Sequence, residues 1–105
     1  MRVVKYRKCL EVENSRGPWV ALHISHKRGH DWAWGLGLSS DRGHLWLEVR
    51  HGGKTKKRFV HRAPDDGASG QNMLSTPRVY DGPGYKVRTC GAETGGRLRT
   101  CTWWH

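Results

Sequence analysis

The sequence predicts an all-β domain, and three observations carry the prediction. Apolar residues alternate with polar or small ones along most of the chain, the period of a strand whose two faces differ. Fourteen glycines in 105 residues interrupt most windows long enough to hold a helix. The alternating runs are bounded by Gly, Ser, Asp or Asn, the residues that close tight turns. Together these predict a small antiparallel meander of about seven strands, bent into a highly curved sheet or a partly open barrel.

The elements follow in order. The first strand is expected over 2–12, with Val4, Tyr6, Lys8, Leu10 and Val12 on one, mostly apolar face and Lys5, Arg7 and Cys9 on the other. The second covers 18–26, with Val20, Leu22 and Ile24 on one face and Leu22 and Ile24 assigned to the core. In the third, over 31–39, Trp32, Trp34, Leu36 and Leu38 alternate with Ala33, Gly35 and Gly37, and Trp34 and Leu36 are assigned to the core. The fourth, over 44–51, sets Leu45, Leu47 and Val49 against Trp46, Glu48 and Arg50. Strands over 54–61, 84–92 and 97–104 follow, with Val87 and Trp104 facing inward and a short extra strand through 77–81. Residues 62–76 hold Pro64, Asp65, Asp66, Gly67, Gly70 and Asn72, and no regular pattern fits them. They are expected to form a mobile loop between two sub-sheets of a single domain spanning 1–105. The size is that of SH3-like or OB-like barrels, an analogy of architecture alone.

Two turns also predict register. Gly52-Gly53 suits the two central positions of a type I′ hairpin, both of which need positive φ. Counting outward pairs His51 with Lys54, Glu48 with Lys57, Trp46 with Phe59 and His44 with His61. Gly95-Gly96 permits the same turn, which pairs Ala92 with Arg99, Cys90 with Cys101 and Arg88 with Trp103.

Function is read from charge and aromatics. The chain carries a formal charge of +10 and six tryptophans, and the cations are threaded between the rings. Cations neutralise phosphates and indole faces stack on bases, so the expected partner is DNA or RNA. The binding residues expected on this basis are Arg28, Trp32, Arg42, Trp46, Arg50, Lys54, Lys56, Lys57, Arg58, Lys86, Arg88, Arg99 and Trp103. Trp and Arg also dominate protein–protein hot spots. The alternative is therefore a small inhibitor or adaptor, of the kind a phage or other mobile element encodes, docking on an acidic surface of a host nucleic-acid-handling complex. A third reading is a metal-independent ribonuclease or toxin using His44 and His61 beside Arg50 or Lys57.

The reading is non-enzymatic, because no P-loop, Rossmann fingerprint, G-x-S-x-G or H-E-x-x-H occurs. No cofactor or metal is expected. Cys9, Cys90, Cys101 and His105 supply the donor types of a zinc site, but no C-x₂-C spacing is present. No signal-like apolar run and no membrane span is visible, and three cysteines make an odd set for a disulfide scaffold. These features predict a cytoplasmic protein with reduced thiols and no membrane partner.

Overall fold

The computed structural model describes residues 7–12, 18–39, 43–63 and 72–105, with backbone alone for 7–12, Ser39 and Asn72. It is nearly all antiparallel strand, arranged as two sheets rather than a closed barrel. Among the described residues nine strands run in chain order: β1 (Arg7–Val12), β2 (Trp19–Lys27), β3 (His30–Ser39), β4 (His44–His51), β5 (Lys54–Arg62), β6 (Asn72–Ser75), β7 (Val79–Tyr80), β8 (Tyr85–Glu93) and β9 (Arg97–Cys101). One sheet has the order β1-β2-β3-β6, with β7 also pairing β3; the other has the order β5-β4-β8-β9. Among the described residues the only helical segment is the single 3₁₀ turn Thr94–Gly96.

β6 corrects the expectation for 62–76. Met73 and Leu74 pair with Leu38 and Gly37 of β3, so the segment ends in a strand. Thr76 then continues along β3: its backbone N–H donates to the Gly35 carbonyl at 2.9 Å, and its hydroxyl accepts from the Gly35 N–H at 2.8 Å. A polar Thr replaces a ladder bond here, a substitution that no hydrophobic pattern announces. The expected mobility falls on 64–71, outside the described residues, as do Val4, Tyr6 and Arg42.

The core lies between the sheets. Leu22, Ile24, Ala33 and Val79 of the first sheet pack on Leu47 and Val87 of the second. The third strand reverses one expectation. Ala33, Gly35 and Gly37 are buried, whereas Trp34 and Leu36 on the opposite face are half-buried. The sheets approach too closely for larger residues: a Cβ on Gly35 would stand 2.8 Å from the Thr89 side chain and 3.2 Å from that of Leu47. The tryptophans of β3 therefore face away from the sandwich, where Trp34 is held by a stacked His23 at 5.2 Å and by Arg78 at 4.6 Å.

Both hairpin registers are correct over part of their length. Gly52 and Gly53 have φ of 61° and 76°, and His51↔Lys54 and Glu48↔Lys57 pair as expected. Beyond Leu47↔Arg58 a β-bulge intervenes, and His44 pairs with Arg62 and Leu45 with His61. The bulge residue is Phe59, at φ 56°, and its ring packs on the inter-sheet core instead of opposing Trp46. In the second hairpin Cys90↔Cys101 holds, but the turn uses three residues, so Glu93 pairs with Arg97. A matching left-handed residue, Leu98 at φ 53°, restores the register toward Gly91↔Thr100. A further slip follows, because His105 exchanges both backbone bonds with Val87 at 3.0 Å. Trp103 consequently does not oppose Arg88.

Candidate nucleic-acid interface

Of the expected binding residues, Arg28 and Trp32 belong to the β2–β3 hairpin and Arg42 lies outside the described residues; most of the others divide between two faces of the β5-β4-β8-β9 sheet. Trp46, Glu48, Arg50, Arg88 and Arg99 stand on the face turned away from the core. Glu48, whose side chain is 5% exposed, accepts from Arg88 Nε and Nη2 at 2.9 and 2.7 Å, from Arg99 Nη2 at 2.7 Å and from Trp46 Nε1 at 3.0 Å. Burial pushes its carboxyl pKa up, but these charged and indole donors more than offset that and hold it below its ordinary value. Trp46 is only 4% exposed, sealed by Cys90 and Ala92 beneath and by Lys57 at 4.5 Å. The expectation that Trp46 stacks on a partner is thus corrected: its ring is already covered. Trp104, assigned to the core, is half-buried on this outer face, with Arg88 at 4.3 Å and Arg50 at 5.6 Å from its ring. Arg88 meets this ring rather than Trp103, which is 81% exposed. Arg88, Arg99 and Trp46 therefore form a self-satisfied cluster. Arg50 and Lys86, which pair directly across β4 and β8, and Lys57, which lies over Trp46, take no part in the ion pairs to Glu48.

The other face differs. Lys54, Lys56 and Arg58 oppose His51, Val49 and Leu47, so all three lie on the core-side face of the sheet. All three are nevertheless exposed. They line a recess of about 300 Å³ whose floor is Val49 and Tyr85. Tyr85 stacks on His51 at 4.0 Å and 8°. His51 Nδ1 donates to the Gly84 carbonyl at 3.0 Å, which leaves Nε2 as the ring's accepting nitrogen.

A line of rings leads away from this recess. Tyr85 meets Tyr80 edge-on at 5.5 Å, and Tyr80 meets Trp32 at 5.9 Å and His30 at 5.5 Å. Trp32 in turn borders a recess of about 450 Å³ lined by Lys27, Arg28, His30 and Arg78. Arg28 is placed there by a turn: with φ of 53° and 79°, Arg28 and Gly29 close the β2–β3 hairpin. Tyr80, Tyr85, Lys27 and Arg78 are members that the sequence reading missed. Tyr80 lies in the short strand expected through 77–81, but its pairing opposite Trp32 is set by the fold and not by any local pattern.

The carboxylates near this line are engaged. Asp31 pairs with His26 at 2.9 Å, and buried Asp81 pairs with His105 at 2.6 Å. Burial raises the Asp81 pKa despite the opposing pull of His105. His44 and His61 do not form a catalytic pair, because the Phe59 bulge puts them on opposite faces of the sheet. The reduced-thiol expectation is also corrected: a disulfide joins Cys90 and Cys101 across β8 and β9. Glu48 lies close enough to these sulfurs to make a three-donor group, but its oxygens are taken by Trp46, Arg88 and Arg99. Cys9 lies in β1 of the other sheet, opposite His23, and His105 is paired with Asp81, so the four zinc-type donors do not assemble. No helix among the described residues is long and apolar enough to cross a membrane.

Fold and surface together define a two-sheet antiparallel β-domain with a basic, ring-lined end. No protein-family model, curated protein or solved structure matches this chain.

Proposed function

We propose that this protein is a non-enzymatic nucleic-acid-binding module whose contact surface is the core-side face of the β4–β5 hairpin and the line of rings beside it. The observation that carries the reading is the placement of Lys54, Lys56 and Arg58 on one strand face, free of carboxylates in the recess they line. Alternate residues of a strand stand ~6.8 Å apart, a repeat suited to successive phosphates of an extended polynucleotide chain. The outer-face arginines contribute less, because two of them, Arg88 and Arg99, share the Glu48 carboxylate, which cancels one of their two charges and holds both groups in place.

An anisotropy titration across salt tests this. Each phosphate contact contributes a log K versus log salt slope of about −0.7 on single strands and −0.9 on duplex. Replacing Lys54, Lys56 and Arg58 together by Ala is expected to flatten the slope by about two to three and to weaken binding at low salt by at least about tenfold. These residues are exposed, so the melting temperature should hardly move. Binding that is indifferent to salt would sink the proposal.

One observation favours docking on a protein instead. Trp103 is 81% exposed and Leu98 49% exposed, both on the β9 side of the sheet, far from the carboxylate-free cations in sequence. On this second reading the protein is a small inhibitor or adaptor with Trp103 as its anchor. A partner that co-purifies through nuclease treatment and is lost on Trp103→Ala supports it.

A further inference from the structure

We infer that the ligand is a single-stranded polynucleotide, its bases laid on the rings between Trp32 and His51 and its phosphates held by a cation cluster at each end. The inference rests on the nucleic-acid reading and specifies its partner. The rings run Trp32, Tyr80, Tyr85, His51, in centroid steps of 5.9, 5.5 and 4.0 Å. At one end stand Lys54, Lys56 and Arg58; at the other, Lys27, Arg28 and Arg78. The two cation clusters line separate recesses that ring contacts connect, and the middle ring, Tyr80, lines a third recess with Asp31 and Asp81.

The chemistry of the rings decides between strand forms. A duplex hides its base faces inside its own stack and offers only groove edges and phosphates to a protein. Ring faces set in recesses reach only unpaired bases, on which stacking is tolerant of sequence. Trp32, Tyr80 and Tyr85 are half-buried and fixed by one another, so little side-chain freedom is lost when a base settles on them. Among the described residues the carboxylates beside the rings, Asp31 and Asp81, are paired with His26 and His105 and do not oppose a phosphate as free charges. The length of the line of rings matches a footprint at the lower end of the roughly 4–16 nucleotides seen for small β-domains.

The test uses the whole protein with three labelled probes of equal length, about 12 nucleotides: oligo-dT, oligo-U and a blunt mixed-sequence duplex. The two single strands are expected to bind at least about tenfold tighter than the duplex at the same salt, and their ratio tells whether the sugar matters. Tyr85→Leu is expected to weaken single-strand binding by about tenfold without changing the salt slope, whereas Tyr85→Phe binds normally. Trp32→Leu supplies a second ring variant at the far end, and a thermal melt identifies any variant that has lost its fold. A duplex bound as tightly as the single strands overturns the inference. So do folded ring variants with unchanged affinity while the Lys54/Lys56/Arg58 triple variant is weakened, and in both cases the nucleic-acid reading stands. If no probe binds at low salt, that reading falls and the inference with it.

Discussion

Replacing Glu48 by Gln is expected to destabilise the protein by about 2–4 kcal/mol. Loss of one partner from a buried ion pair costs roughly 3–5 kcal/mol, discounted here for solvent screening of the partners. The discount applies because the Arg88 and Arg99 side chains are 25% and 50% exposed, while Glu48 itself is 5% exposed. Without the carboxylate, two guanidinium groups face each other beside Trp46 with no anion between them. For a domain of this size the loss corresponds to a fall in melting temperature of roughly 10–25 °C. The pH dependence has a definite sign. The pKa of Glu48 is held below its ordinary value of 4.5, so its stabilisation is complete above that value and is lost as pH falls through the folded-state pKa. The gap between wild type and Glu48→Gln should therefore be widest near neutral pH and shrink in acid. Asp81 runs the other way: its raised pKa means that the folded state prefers the protonated acid, so its unfavourable contribution disappears in acid. Thermal melts of both proteins from about pH 7 to about pH 3 measure the difference. A gap that does not narrow would show that Glu48 acts by packing rather than by charge.

Gly35→Val is the second large effect. The first added carbon would sit 2.8 Å from both Thr89 Cγ2 and Thr89 Oγ1, and Thr89 has no exposed surface into which to withdraw. Overpacking of this kind costs roughly 1–3 kcal/mol and more where backbone must shift, so the sheets should separate locally and the melting temperature fall by roughly 5–20 °C. Gly35→Ala should show a milder loss, partly recovered in the double variant with Thr89→Ala, which clears the colliding atoms. A coupling of about 1 kcal/mol in that cycle is the expected signature of direct contact. Additive losses would place the damage elsewhere.

Much of the strand order was legible because it depends on local pattern. The hairpin tips at Gly52-Gly53 and Gly95-Gly96 and the Cys90–Cys101 juxtaposition all follow from turn residues and alternation. What escaped depends on long-range contact. Which face of β3 meets the partner sheet is decided by the distance to Thr89, and alternation alone favoured the larger residues as core. The bulges at Phe59 and Leu98 carry no glycine to announce them. The candidate surface was half legible. Lys54, Lys56 and Arg58 were visible as a basic strand, but Tyr80 and Tyr85 belong to short or separate elements and meet only in three dimensions. Trp46 was misjudged because its cover comes from Cys90 and Ala92, more than forty positions away.

The bulge at Phe59 acts as a phase shifter in the strand that carries the proposed cations. On the turn side of it, Lys54, Lys56 and Arg58 keep one parity; on the far side, His61 lies on that same face although its number has the opposite parity. The length of β5 is therefore constrained independently of its composition. Removing one residue at the bulge itself would leave β5 regular, with His61 still opposite Leu45 and Arg62 opposite His44, and would cost the Phe59 ring its place on the core, whereas a deletion on the turn side would carry Lys56 and Arg58 to the other face. Away from the bulge, insertions and deletions in this strand are held to a narrower range than substitutions, since a single step of length there exchanges the two surfaces for the residues on one side of it.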